Sequence, residues 1–257
     1  MSTFWYDSLY YGVCVAMAGL LLVTLVQSLG VYRSSDEPVR RGYALGILAA
    51  ALGTELAFMA GVSLNAIRSA TGDLFYQEVH FAVDYVGFAL ITFGVIVVLD
   101  AARAGDARKL PAWIWPSVPL VLWLAYAGAT AVATSALLAA RPSSLASAGS
   151  QAHVSQQVVY FLPIFETTAI GAMILLGLVV LDVVSGWRRQ STIALGLFAG
   201  LAFVGFLRES TIIPSSGEPY LDLFMAFGPF ILAVVSLFLG ARFIERERVA
   251  AGQVPDG

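Results

Sequence analysis

The amino-acid sequence predicts an all-α, polytopic integral membrane protein, a single bundle of seven transmembrane helices. Asp, Glu, Lys and Arg make up only 12% of its 257 residues, and its mean hydropathy is +0.82. Soluble domains carry about 25% charged residues, so this chain has too few to cover a surface exposed to water. Apolar runs long enough to cross about 30 Å of hydrocarbon recur along its length. A soluble enzyme, a nucleic-acid-binding protein and a disulfide-rich secreted protein are therefore excluded.

Seven predominantly apolar segments, separated by short polar connections, define the predicted spans. They are Ser8–Tyr32, Gly42–Ile67, Val79–Ala101, Trp113–Ala140, Val158–Val184, Thr192–Ile213 and Tyr220–Phe243. Because the connections are short, we expect residues 1–257 to form one membrane domain.

The first three spans have distinct sequence features. The segment before span one lacks the basic region and small-residue cleavage site of a signal peptide, so we expect this span to be retained. Span two contains Gly42 and Gly46, whose GxxxG spacing favours close packing against another helix. Span three ends before a basic connection that holds Lys109, the only lysine of the chain. These features predict a retained first helix and a second helix that can approach a neighbouring helix closely.

The later spans carry aromatic, proline and glycine signals. Span four begins at Trp113, a residue type enriched at membrane interfaces. Spans five and seven contain Pro163 and Pro229, each of which removes a backbone hydrogen bond and is expected to bend its helix. Span six contains a second GxxxG pair, Gly196 and Gly200.

The basic residues predict how the chain is oriented. Only Arg68 and Arg141 lie near the span ends on one side of the predicted bundle. The other side has eleven: Arg33, Arg40, Arg41, Arg103, Arg108, Lys109, Arg188, Arg189, Arg242, Arg246 and Arg248. Basic residues concentrate in cytoplasmic loops, so we expect the N-terminus outside and the C-terminus in the cytoplasm. The strong excess of Arg over Lys favours a GC-rich or halophilic microbe, and hence a prokaryotic cell membrane.

A small set of charged or titratable residues falls inside the spans, at the midplane or in the predicted outer half. Each such charge costs about 2.5–3.5 kcal/mol on insertion scales, so each needs a partner or a purpose. The candidate ligand- or ion-binding residues are Glu55, Asp84, Glu166, Arg208, Glu209 and His80.

This set predicts an acidic cavity that faces the outside. Its four carboxylates have one permanent cation, Arg208, with His80 as the only candidate for a second. So many carboxylates away from water cannot all stay ionised beside one guanidinium. Some must then be protonated, or a cation must bind between them.

Several of these residues also have a purely structural interpretation. Arg208 and Glu209 lie near the end of their span and can extend to the interface. His80 at the start of a helix is more often an interfacial hydrogen-bonding residue than a ligand. His80 and Asp84 share a face at i,i+4, which makes them a weak candidate pair for a metal ion. Glu55 is the hardest to explain structurally, because no helix end is within its reach.

The topology resembles that of the microbial rhodopsins, which implies retinal held as a Schiff base on a lysine of the seventh helix. Span seven, YLDLFMAFGPFILAVVSLF, has Asp222 where that family has an aspartate, but Ala226 stands where the lysine would fall. We therefore expect no Schiff-base retinal, and a lysine-free relative stays an alternative. With only two histidines in the chain, we also expect neither a bis-His haem nor a histidine-rich zinc hydrolase site.

Three functions follow from the cavity. The first is transport of, or response to, a cation or proton. The second is a receptor, sensor or subunit of a larger membrane complex, which binds a ligand, pigment or lipid without transporting it. The third is a metal-dependent intramembrane enzyme, which we rank last. The expected partners are the lipid bilayer, a cation or small ligand from the outer side, and a second copy or another subunit.

Overall fold

The computed structural model describes residues 3–71, 75–105, 167–209 and 219–252. Within these ranges the chain is helical, with six α-helices and no strand. They are α1 (Thr3–Ser34), α2 (Pro38–Thr71), α3 (Phe75–Gly105), α4 (Thr167–Val180), α5 (Gly186–Glu209) and α6 (Pro219–Gly252). The all-helical prediction is confirmed for the part of the chain that the structure describes.

Four of the described helices contain a stretch long and apolar enough to cross a membrane. These stretches are Leu9–Ser34, Pro38–Met59, Val86–Arg103 and Phe227–Arg246. Helix α4 is a shorter apolar helix. Large apolar side chains also cover outward faces, such as Val15 and Val26 of α1, at 73% and 71% exposure. Apolar surface of this kind is suited to lipid, so these features indicate a membrane protein.

The predicted spans overlap the described helices, but their ends differ. Spans one, two, three, six and seven coincide with α1, α2, α3, α5 and α6, and α4 lies within span five. Span four, Trp113–Ala140, lies outside the described residues. Helix α6 has 34 residues, or about 51 Å of helix, and continues into the charged segment beyond Phe243. Hydropathy detects only the apolar part of a helix, so it underestimates the length of helices that extend past the hydrocarbon.

The described helices bring their arginine-bearing ends together at one end of the bundle. Gly42 at the start of α2 lies against Ala101 at the end of α3, and Tyr43 contacts Trp187 at the start of α5. Tyr10 and Phe227 meet at the opposite end. We call the first the basic end and the second the far end. The basic end carries Arg33, Arg40, Arg41, Arg103, Arg188, Arg189 and Arg242.

Helices α2 and α3 form the most extensive helix pair. Gly53 lies against Gly87, and Gly46 against Gly94, in antiparallel register. A Cβ atom at Gly87 would lie only 2.6 Å from the carbonyl oxygen of Gly53. Because the two backbones are nearly in contact, no larger residue fits without moving a helix. The packing predicted from Gly42 and Gly46 is thus found, as part of a longer glycine contact.

Helix α1 contributes a regular buried stripe to the core. It packs against α2 and α6. The spacing alternates between three and four residues, as in coiled coils. Its members are Cys14, Met17, Leu21, Thr24, Ser28 and Val31. The stripe therefore places two hydroxyl residues, Thr24 and Ser28, at positions that are usually apolar.

Helix α4 ends in a Schellman motif around Asp182. The amide of Val183 donates to the carbonyl of Leu178 at 2.9 Å, and the amide of Asp182 donates to that of Val179 at 3.1 Å. Asp182 has a φ of 53°, in the left-handed region where glycine is preferred. Its carboxylate forms an exposed ion pair with Arg189 at 3.2 Å, so this motif joins α4 to α5.

Asp182→Gly is expected to stabilise the protein by about 0.5–1 kcal/mol, because glycine adopts the left-handed conformation without steric cost. Loss of the exposed ion pair should subtract only a few tenths of this gain. The midpoint of thermal unfolding in detergent measures the effect. Asp182→Val, which is β-branched, should lower that midpoint, and an equal response to both substitutions would contradict the assignment.

Candidate functional site

Glu55 lies in the apolar part of α2, facing away from α3. It follows Gly53 by two residues, a rotation of about 200° around the helix, and Gly53 faces α3. Its Oε2 atom is buried and has no hydrogen-bond partner among the described residues. Unpartnered buried polar atoms are uncommon in native proteins and need a physical explanation. Glu55 is therefore the most unusual acidic side chain in the described part of the chain.

Asp84 lies on α3 at nearly the same depth as Glu55. Gly87 is opposite Gly53 in the antiparallel pair, so position 84 is level with position 56, about 1.5 Å along the axis from Glu55. Asp84 is three residues before Gly87 and half-buried, near the face of α3 that meets α2. The two carboxylates thus share a depth, but Glu55 faces away from α3 whereas Asp84 lies near the face of α3 that meets α2.

The remaining predicted site residues are only partly described. His80 precedes Asp84 by one turn of α3, so the two share a helix face, but the His80 side chain is outside the described atoms. Arg208 and Glu209 are the last two residues of α5, again without described side chains. Glu166 lies outside the described residues. Convergence of these residues with Glu55 and Asp84 stays a prediction.

The described residues hold no cluster of three or more His, Cys, Asp or Glu side chains that could bind a metal ion. The His80–Asp84 pair therefore stays a hypothesis with two ligands. A stable site of the usual kind needs three or four.

A pair of hydroxyl groups joins α3 to the first turn of α4. Thr92 Oγ1 lies 2.8 Å from Thr168 Oγ1, and it also donates to the carbonyl of Phe88 at 3.1 Å. Thr168 is 1% exposed. Both hydroxyls are thus held in internal contacts, so they fix the two helices together.

A polar cluster at the basic end joins α2 to α5. The hydroxyl groups of Tyr43 and Thr192 are 2.7 Å apart, and both residues are fully buried. The Tyr43 ring meets Trp187 edge-on at 5.2 Å, and the Arg40 guanidinium lies over the same indole at 5.2 Å. Arg40 also pairs with Glu37 at 3.2 Å. Sequence reasoning missed this cluster, because Tyr43 and Thr192 are 149 residues apart.

Two further polar residues of α1 were also missed by sequence reasoning. Ser28 is 2% exposed, and its Oγ atom has no partner in the described part of the chain. The same holds for the buried Oε1 atom of the adjacent Gln27. The available signal was the pair of polar residues inside an otherwise apolar run, QS in TLVQSLGV.

Comparison of the chain with models of protein families, with curated proteins and with solved structures gives no match. The candidate site is therefore interpreted from its own chemistry.

Proposed function

We propose that this membrane protein transports, or responds to, protons or small cations, with Glu55 as the central residue and Asp84 at the same depth. The observation that carries the proposal is the buried Oε2 atom of Glu55, which has no partner among the described residues. A carboxyl group away from water is stable either protonated or, when ionised, paired with a counter-charge. Binding and release of a proton or cation at Glu55 satisfies that requirement.

The proposed architecture has seven spans, with the N-terminus outside and the basic end in the cytoplasm. The gathering of arginines at one end of the described helices supports this orientation through the positive-inside rule. Cytoplasmic membranes of prokaryotes are the proposed location. Glu55 and Asp84 then belong to the half of the bundle nearer the outside.

Glu55→Gln tests the proposal, because it keeps the size of the side chain and removes its charge. The purified protein is reconstituted in liposomes, and a proton or sodium gradient is imposed across their membrane. The resulting ion flux is followed with a pH-sensitive or sodium-sensitive dye. We expect Glu55→Gln to lower the flux at least about tenfold, the loss typical of a missing proton-transfer group. Glu245→Gln is the matched control, because Glu245 lies at the basic end, paired with Arg242 at 3.2 Å. Equal flux in wild type and Glu55→Gln would remove Glu55 from the mechanism.

A non-transporting receptor or complex subunit is the second candidate. It is favoured by the close α2–α3 backbone contact at Gly46 and Gly94, which leaves no passage between these two helices. It also fits the internal contacts of the hydroxyls of Thr92 and Ser236, which lie in the half of the bundle nearer the basic end. Purification from native membranes in mild detergent tests it. A preparation without flux that retains a bound small molecule or a stoichiometric partner would favour this candidate over transport.

A further inference from the structure

Among the buried helix hydroxyls of the described chain, that of Ser28 alone has no hydrogen-bond partner there. A serine or threonine inside a helix usually donates to the carbonyl four residues earlier. Here that bond is made by Thr24, Ser34, Thr54, Thr92 and Ser236. Ser28 Oγ does not make it, although the residue is 2% exposed. Its hydroxyl is therefore buried with no partner among the described residues.

Two other residues toward the basic end have buried polar atoms without a partner in the described chain. Gln27 Oε1 and Arg40 Nε are also buried without a partner among the described residues. Helices α1 and α2 are joined by residues 35–37 alone, so Ser34 and Pro38 lie at the same depth and Ser28 is level with about position 44. Arg40 is then about 6 Å nearer the basic end. The three residues, Gln27 and Ser28 on α1 and Arg40 on α2, thus lie within about 8 Å of one another along the bundle axis.

The chemistry of these atoms matches water. Arg40 Nε donates, Gln27 Oε1 accepts, and a serine hydroxyl does both. Buried waters occupy such places and make about three hydrogen bonds each to polar groups that lack protein partners. An anion is less suitable, because Glu37 already pairs with the Arg40 guanidinium. An apolar ligand would leave all three atoms unsatisfied.

We propose that Ser28, Gln27 and Arg40 line a hydrated arm that connects the basic end to the ion path; this rests on the proposed function of Glu55. The arm supplies a polar route through the half of the bundle nearer the basic end, where the hydroxyls of Thr92 and Ser236 are held in internal contacts. On the side toward the far end, the arm is closed by Leu21 and Ala51, which are fully buried. Glu55 lies about 16 Å from the level of Ser28 toward the far end, since eleven residues of α2 separate it from position 44. Water thus reaches Glu55 from the basic end only when the helices around Leu21 move.

Ser28→Cys tests the hydrated arm, because it exchanges only an oxygen atom for a sulfur atom. Cys14, the sole native cysteine, is first replaced by Ser. Labelling by methanethiosulfonate ethylammonium is then timed in liposomes with the reagent on both sides. Val98→Cys in the same background is the matched control: Val98 is fully buried against Gly46, at the depth of Ser28 but in the α2–α3 contact. We expect Ser28→Cys to react at least about tenfold faster than Val98→Cys.

Flux measured before and after labelling separates this inference from the proposed function. We expect the ethylammonium group on Ser28→Cys to block flux and to have no such effect on the Val98→Cys protein. Equal, slow labelling of the two variants would overturn the hydrated arm. Fast labelling without loss of flux would overturn its place in the ion path. Wild-type protein without flux would overturn the proposed function, while the labelling ratio would still decide whether the arm is hydrated.

Discussion

Alanine at Gly53 or Gly94 is expected to lower the free energy of unfolding by about 2–3 kcal/mol, the upper part of the range for overpacking. The added Cβ at position 53 would overlap the carbonyl oxygen of Gly87, and the one at position 94 would overlap that of Gly46. A flexible side chain could move aside at little cost, whereas a helix backbone can yield only if the two helices separate. Separation would then weaken the contacts along the whole α2–α3 pair.

The unfolding equilibrium in mixed micelles, measured by titration with a denaturing detergent, gives these free energies. Gly19→Ala and Gly200→Ala are the matched controls, because a Cβ at either position would meet nothing within 4 Å. All four substitutions share the higher helix propensity of alanine, about 1 kcal/mol, so the difference isolates the steric term. Gly53→Ala with the stability of Gly19→Ala would contradict the close approach of α2 and α3.

Tyr43→Ala is expected to cost about 3–5 kcal/mol, as for other large buried aromatic side chains. Tyr43 is fully buried, bonds to Thr192 and contacts the ring of Trp187 edge-on. Its removal leaves a cavity and a buried threonine hydroxyl without its partner. It also removes the contact that orients the indole under Arg40. The same detergent titration measures the loss.

Tyr43→Phe separates the hydroxyl from the ring and should cost about 1 kcal/mol, because only the hydrogen bond is removed. Thr192→Val should cost a similar amount, and the double variant should cost less than the two together if the hydroxyls are partners. Tyr11→Ala is the control for an exposed tyrosine, at 56% exposure. If Tyr43→Phe lowered the free energy of unfolding as much as Tyr43→Ala does, the ring would not be the main source of the stabilisation.

Much of the fold could be predicted because hydropathy reports directly on burial in lipid. The positions of α1, α2, α3, α5 and α6 follow from apolar runs alone. Part of the α2–α3 contact was predictable from Gly42 and Gly46. The larger signal was the seven-residue spacing from Gly46 to Gly53, repeated from Gly87 to Gly94, which marks two glycine-bearing faces that can oppose each other.

The candidate site was less predictable, because a sequence gives the depth of a residue but not the direction that its helix faces. From the sequence, Glu55 falls near the centre of its span and Asp84 about five residues inside its own; the antiparallel glycine register places them at nearly the same depth. Whether Glu55 faces toward α3 or away from it depends on where α3 packs, and that is a tertiary property. The same reason applies to Ser28 and Tyr43, since a buried hydroxyl is distinguished from an ordinary one only by its neighbours.

The glycine contact between α2 and α3 also has a mechanical consequence. Two helices in backbone contact resist sliding past each other, because each carbonyl lies against a glycine that has no side chain to yield. We therefore expect the pair to move as one rigid unit, with a constant distance between Glu55 and Asp84. Under the proposed function, a change in access to these carboxylates would come from displacement of other helices around that unit. If the protein transports as proposed, distances within α2–α3 should stay constant during transport while distances from α2 to α1 change.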